Sequence, residues 1–170
     1  MKRIAILCFI LLLLPVSAAA DTWTGTVISV HDGDTLTVAR EDGRRERIRL
    51  YGIDCPELAA GKWGEQPYGR EATDFAKVLL RPKDLVVIAK KGMSYRRIVA
   101  VVIMQDGISA QEELVAAGLA WVDPKYCKAK ECDDWLILQR RAEDERRGLW
   151  EALDFDAPVP PWEWRRIGGR

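Results

Sequence analysis

Residues 23 to 51 hold three runs of strand-period alternation joined by two Asp-Gly turns, and that spacing restricts the start of the chain to an antiparallel meander. Trp23 to Val30 is the first run, Thr35 to Ala39 the second and Glu46 to Tyr51 the third. In the third, Ile48 and Leu50 fall on one face and Arg47, Arg49 and Tyr51 on the other. Asp32-Gly33-Asp34 carries one carboxylate more than a turn needs. Asp32 is read as making the turn, which leaves Asp34 for another role.

Two more β-branched runs, Leu85 to Ala89 and Ile98 to Met104, are separated by the basic stretch KKGMSYRR, read as a loop. Helical periods occupy Tyr68 to Leu80 (Ala72, Phe75, Ala76 and Leu79 on one face), Ala110 to Ala117, and Asp133 to Arg147. Arg81-Pro82, Gly118 and Gly148 stop them. Residues 59–67 are turn-rich and expected to be a mobile loop, and the last segment, APVPPWEWRRIGGR, is proline-rich and expected to be extended. The pattern predicts a mainly β fold with α: a five-stranded Greek-key barrel of the OB type, with about three helices packed at one end. That fold hosts many functions and selects none.

The first twenty residues are set aside from the fold. Lys2 and Arg3 precede the apolar run Ile4 to Leu14, followed by Pro15 and the small residues Ser17-Ala18-Ala19-Ala20. This is the pattern of a cleavable signal peptide, with cleavage expected after Ala20 and a secreted or periplasmic product without stable membrane association. The run is too short for a membrane span, which needs about 20 apolar residues. Residues 21–150 are expected to form one domain, and residues 151–170 a Pro/Trp-rich tail.

Composition excludes some chemistry. The whole chain has 26 basic and 26 acidic residues, so no overall basic excess advertises a nucleic-acid partner. Basic residues are nonetheless clustered at Arg44, Arg45, Arg47 and Arg49, and again at Lys90, Lys91, Arg96 and Arg97. A single histidine, His31, rules out hydrolases built on paired histidines and reads as an ordinary hairpin residue. Cys127 and Cys132, close together in an exported chain, read as a disulfide. A zinc site would need two further soft ligands, and only His31 and Cys55 remain in the exported part. Cys55 is then either a small buried hydrophobe or a position that matters through its backbone.

The segment RLYGIDCPE, residues 49–57, places Arg49, Asp54 and Glu57 where the third strand ends and the chain turns at Gly52 and Pro56. In a meander the end of strand three lies beside the start of strand two, so Asp34 and Asp54 are expected to converge. Carboxylates brought together repel each other, and a hard divalent cation with a preference for oxygen removes that penalty. Asp34 is therefore read as a metal ligand.

DGDT, RLYGIDCPE, YRRIVA and GLAWV, in this order and at these separations, resemble the staphylococcal nuclease (thermonuclease) family over nearly all of residues 23–150. The resemblance implies a Ca2+ ion held by the side chains of Asp34 and Asp54 and the backbone carbonyl of Cys55, where thermonuclease has Thr. It implies Glu57 as the residue that orients or deprotonates the attacking water, Arg49 and Arg97 as the grip on phosphate, and Tyr95 and Tyr126 as the nucleotide pocket. Alternation does not choose between Arg96 and Arg97; the family spacing favours Arg97. The implied activity is an endonuclease that hydrolyses phosphodiester bonds of single-stranded DNA or RNA, as a monomer, and leaves 3′-phosphate products. Ser94 stands where the family has a basic residue, and Pro124 where it has a second pocket tyrosine; both departures touch substrate holding. A non-catalytic OB-type binding module is the alternative. It would have no reason to keep metal-binding carboxylates beside an anionic ligand.

Overall fold

A computed structural model describes residues 21–59, 64–80, 84–151 and 157–168. The proposed signal peptide lies outside them. Five strands close a barrel: β1 (Thr22–Asp32), β2 (Thr35–Arg40), β3 (Arg45–Leu50), then, after the short β4 (Ile53–Asp54) and helix α1 (Gly69–Leu80), β5 (Asp84–Ser94) and β6 (Arg97–Ile103). Their order around the barrel is β1-β2-β3-β6-β5, antiparallel throughout except where β3 meets β6 in parallel. This is the OB-type barrel that the alternating runs require.

Closure follows from the sequence pattern. The inward residues Val38, Ile48, Leu50, Val87 and Val102 are all buried. Each such side chain stabilises the fold by about 1.5–3 kcal/mol relative to exposure. β1 carries two register shifts against β2, and irregularities of this kind bend a strand and let a sheet curl onto itself. Helix α2 (Ala110–Ala116) starts with a capping box in which Ser109 and Glu112 satisfy each other's backbone N–H groups. Its Gln111, fully buried, accepts the Val102 N–H and donates to the Ala100 carbonyl, fixing the helix to β6.

Outside the barrel, β4 pairs with β7 (Trp121–Val122), and α3 (Glu131–Asp144) leads through a 3-10 turn (Gly148–Trp150) to α4 (Pro161–Arg166). Two sequence expectations are corrected. The stretch expected as a basic loop is strand: β5 runs on to Ser94, and the turn is confined to Tyr95 and Arg96, both with positive φ. The C-terminal segment expected to be extended contains α4, with Pro161 at its first position, where a missing N–H costs nothing. There are thus four α-helices among the described residues against about three expected. The third begins two residues earlier and ends three earlier than its period suggested.

Candidate active site

The β1–β2 turn delivers the first carboxylate. Asp32 accepts the Asp34 N–H at 3.1 Å, the hydrogen bond that shapes the turn. A Cβ on Gly33 would lie 2.7 Å from Cys55 Cβ and 2.9 Å from its Sγ, so only glycine lets the turn lie against residue 55. Asp34, buried, then accepts the Cys55 N–H at 2.9 Å and the Thr35 hydroxyl at 3.1 Å.

The second carboxylate comes from the far end of β3. Thr35 is paired with Arg49 in the β2–β3 ladder, which puts the end of one strand beside the start of the other. Gly52, at φ +72°, turns the chain out of the barrel, and a Cβ there would meet Cys127 Sγ at 2.5 Å. Beyond it, Asp54 is held in the β4–β7 pair opposite Trp121 and is 1% exposed, so its charge depends wholly on protein partners.

Those partners are arginines. Arg49 donates Nη2 to Asp54 Oδ1 at 2.6 Å, and its Nη1 pairs with Asp34 Oδ1. One guanidinium thus bridges both carboxylates, which confirms their convergence. Arg97 donates to Thr35 Oγ1 at 3.0 Å and so joins the network from β6. On the other side, Arg165 of α4 donates Nη2 to Asp54 Oδ2 at 2.6 Å and Nη1 to Asp54 Oδ1 at 3.3 Å, while Nη1 also pairs with Glu57 Oε1. The chain of contacts runs from Arg97 through Thr35, Asp34, Arg49, Asp54 and Arg165 to Glu57.

All of these but the buried Thr35 line a cavity of about 880 Å³, with Tyr95 and Tyr126 also on its wall. Tyr95 is 94% and Tyr126 61% exposed, so both stand at the rim, Tyr126 with the Lys125 ammonium over its ring at 4.9 Å. The disulfide loop orders the ground beside Tyr126: Cys127 and Cys132 are bonded, and the Tyr51 hydroxyl accepts the N–H groups of Lys128 and Ala129 at 2.9 and 3.1 Å. Asp123 accepts the Lys125 and Tyr126 N–H groups at 2.8 and 3.2 Å.

Electrostatics follow burial and neighbours. Burial raises the Asp32 carboxyl above its ordinary range, against the opposing pull of Thr35, Arg49 and Arg97. Burial, then the like charge of Arg49, lowers Arg97. Burial pushes the Cys55 thiol well above the ordinary thiol range, so it is no nucleophile at neutral pH. Burial opposes the charge of Arg165, but its hydrogen bonds to Asp54 and Glu57 outweigh that and raise it above an ordinary arginine.

The donor set facing the cavity suits a hard cation. Asp34 and Asp54 offer oxygen and share one positive partner already, and oxygen is what such a cation prefers. Among the described residues no group of three or more His, Cys, Asp or Glu side chains is arranged around a common point. A cation here would therefore rest on the Asp pair and on backbone or solvent oxygen.

All the residues expected from the sequence line this one cavity: Asp34, Arg49, Asp54, Cys55, Glu57, Tyr95, Arg97 and Tyr126. Arg96 stays on the exposed turn. Ser94, expected only as a lost basic residue, accepts two hydrogen bonds from Arg97, at its carbonyl (3.1 Å) and its hydroxyl (3.3 Å). Thr35 and Arg165 were missed as site residues. Thr35 was hidden by reading it only as the start of a strand. For Arg165 one signal existed: Pro-Trp-Glu-Trp-Arg-Arg after a proline reads as a helix start with Pro at its first position.

Comparison with known proteins shows the family. The sequence model of the family described as staphylococcal nuclease homologue matches residues 47–152. An uncharacterized endonuclease of Escherichia coli is 41% identical over 143 residues, 83% of this chain and 84% of the relative. An uncharacterized endonuclease of Haemophilus influenzae is 30% identical over 168 residues, 97% of this chain and 86% of the relative. A staphylococcal-like nuclease of Arabidopsis thaliana is 35% identical over 123 residues, 72% of this chain but 34% of that longer protein. With the barrel, the convergent Asp34–Arg49–Asp54 cluster and these matches together, the chain belongs to the staphylococcal nuclease family.

Proposed function

We propose that this chain is an exported, Ca2+-dependent endonuclease that hydrolyses phosphodiester bonds of single-stranded DNA or RNA, acting as a monomer and leaving 3′-phosphate products. The observation that carries the reading is the convergence of Asp34, Arg49, Asp54, Glu57 and Arg97 on one cavity, with two nearly buried carboxylates sharing a single guanidinium. Relatives described as endonucleases support the reaction class.

In this reading Asp34, Asp54 and the Cys55 carbonyl hold Ca2+, which supplies positive charge beside the scissile phosphate when bound. Glu57, 40% exposed at its side chain, is open to solvent and takes the proton of the attacking water. Arg49 and Arg97 donate to the phosphate oxygens as their charge grows, each with a planar fork that lysine lacks. Thr35 and Ser94 fix the guanidinium of Arg97 in advance, so less order has to be imposed when substrate arrives. Tyr95, and Tyr126 on the face that Lys125 does not cover, offer rings on which bases stack.

Export rests on the charged and apolar pattern of residues 1–20, and the Cys127–Cys132 disulfide is in keeping with an oxidising compartment. Among the described residues no helix is long and apolar enough to cross a membrane. The test is incubation of the purified mature protein with single-stranded DNA, with Ca2+ or with excess chelator, and end-group analysis of the products. Cleavage with Ca2+ and none with chelator is the expected result. Full activity in chelator overturns the cation, and no cleavage under either condition overturns the enzyme.

A further inference from the structure

Arg165 has a place in the cavity that neither the motifs nor the family match assigns, because that match ends at residue 152. Its helix is firmly seated. Pro161 is buried, Trp162 packs against the cluster of Trp121, Leu149 and Trp150, and the buried Gln66 donates to the Val159 carbonyl at 2.6 Å. The same Gln66 accepts the Glu57 N–H at 3.1 Å, and its own N–H reaches the Glu57 carbonyl at 2.9 Å. One glutamine thus ties the C-terminal segment and the Glu57 loop together, and Arg165 is delivered to a defined position.

The guanidinium is used on one side only. Nη1 serves Asp54 Oδ1 and Glu57 Oε1, and one hydrogen of Nη2 serves Asp54 Oδ2. Nε and the second Nη2 hydrogen, which together form the other edge of the fork, make no hydrogen bond to any described residue. The side chain is 48% exposed and stands on the wall of the cavity that Arg49 and Arg97 also line. A paired edge of N–H donors beside two other arginines matches the oxygens of a phosphate, and the carboxylates behind it keep it from swinging away.

We propose that Arg165 is a third phosphate-contacting arginine, contributed by the C-terminal helix and oriented by Asp54 and Glu57. Its ligand is a phosphodiester of the single-stranded substrate, either the scissile group or the one next to it. The assignment deepens the nuclease reading and rests on it. It also gives the C-terminal segment a function: the site is completed from beyond the family-matched residues.

The test uses the full mature protein and its Arg165→Gln and Arg165→Lys variants. Initial rates on a fluorescein-labelled single-stranded oligonucleotide are measured with Ca2+ across a range of NaCl concentrations. Thermal melting checks the fold, and calorimetric Ca2+ titration without DNA checks the cation. Arg165→Gln is expected to lower kcat/KM by on the order of 10- to 100-fold, the loss of a charge-assisted hydrogen bond. The plot of log kcat/KM against log salt should flatten by about 0.7, one phosphate contact on a single strand. Arg165→Lys should restore the salt slope but only part of the rate, since charge returns without the fork. An unchanged rate, or a fall in rate with an unchanged salt slope in both variants, overturns the proposal. So does a variant that binds Ca2+ more tightly and turns over faster, which would make Arg165 a competitor of the cation. A wild-type protein that cleaves nothing refutes the nuclease reading instead. Fluorescence anisotropy of the same oligonucleotide then decides on Arg165 by the same slope.

Discussion

Arg49 and Asp54 are five residues apart and meet at 2.6 Å, because Gly52 turns the chain back on itself between them. The arginine comes from a barrel strand and the carboxylate from the small β4–β7 pair, so their contact joins the two sheets at the cavity. Arg49 also reaches Asp34 and the Ile53 carbonyl, so removing either carboxylate leaves it the other.

For this reason Asp34→Asn and Asp54→Asn should each fold, losing about 1–3 kcal/mol rather than the larger cost of stranding a buried charge alone. Amides keep the shape and one acceptor oxygen but not the charge that binds a cation. Both variants are expected to lose Ca2+ binding by calorimetry and hydrolysis together. A variant that binds Ca2+ as wild type does would remove its aspartate from the ligand set.

The Cys127–Cys132 bridge supports the same cavity from outside. Its Cys127 sulfur lies against Gly52, and the loop it closes donates two N–H groups to Tyr51. Closing a loop of six residues stabilises the fold by about 2 kcal/mol. Reduction should therefore lower Tm by about 4–8 °C, as calorimetry with and without a phosphine reductant will show. KM should rise more than kcat falls, since Tyr126 stands next to the bridge and the catalytic carboxylates do not.

Cys55 predicts a pH dependence. The thiol is buried beneath the Asp32–Asp34 turn, and burial raises it well above the ordinary range. In the unfolded chain it ionises near pH 8.5. Above that pH the unfolded state holds fewer protons than the folded one, so stability falls as pH rises, by up to about 1.4 kcal/mol per pH unit, until the folded thiol also ionises. Denaturant titrations of wild type and Cys55→Ala should diverge as pH rises above about 8.5, with wild type losing more. At neutral pH iodoacetamide should leave the native protein unlabelled and label it once after unfolding. Equal slopes in the two proteins would place the thiol in contact with solvent.

The meeting of Asp34, Arg49 and Asp54 was legible because hairpin register is local: an Asp-Gly turn fixes which residues of β2 and β3 are opposite, and twenty residues in sequence become one strand end. The barrel was legible for the same reason. The β5–β6 turn was not, since Tyr95 and Arg96 take positive φ without the Gly or Asn that normally marks it, and Lys90 to Ser94 lack an apolar alternation. Arg165 was hidden by distance. It lies 111 residues from Asp54, and no local pattern tells where a proline-started helix of six residues will dock. That docking is a tertiary fact, set by Pro161, Trp162 and Gln66.

Glu57 and Arg49 separate proton transfer from charge stabilisation. Glu57→Gln keeps an oxygen for Arg165 and keeps the backbone bonds to Gln66, so the fold and the oligonucleotide affinity should hold. It removes the proton acceptor, and turnover should fall on the order of 10²- to 10⁴-fold. Arg49→Lys keeps the charge between Asp34 and Asp54 but loses the fork, and a single ammonium cannot copy the two-armed bridge. Its kcat should fall with little change in KM, the signature of contacts that strengthen in the transition state. The two variants combined should lose less than the product of their separate losses if both act in one step, because groups that work as a unit are not additive. Steady-state kinetics of the two single variants and the double variant on one oligonucleotide measure this. Fully multiplicative losses would assign Glu57 and Arg49 to different steps, and undiminished turnover in both would place the reaction outside this cavity.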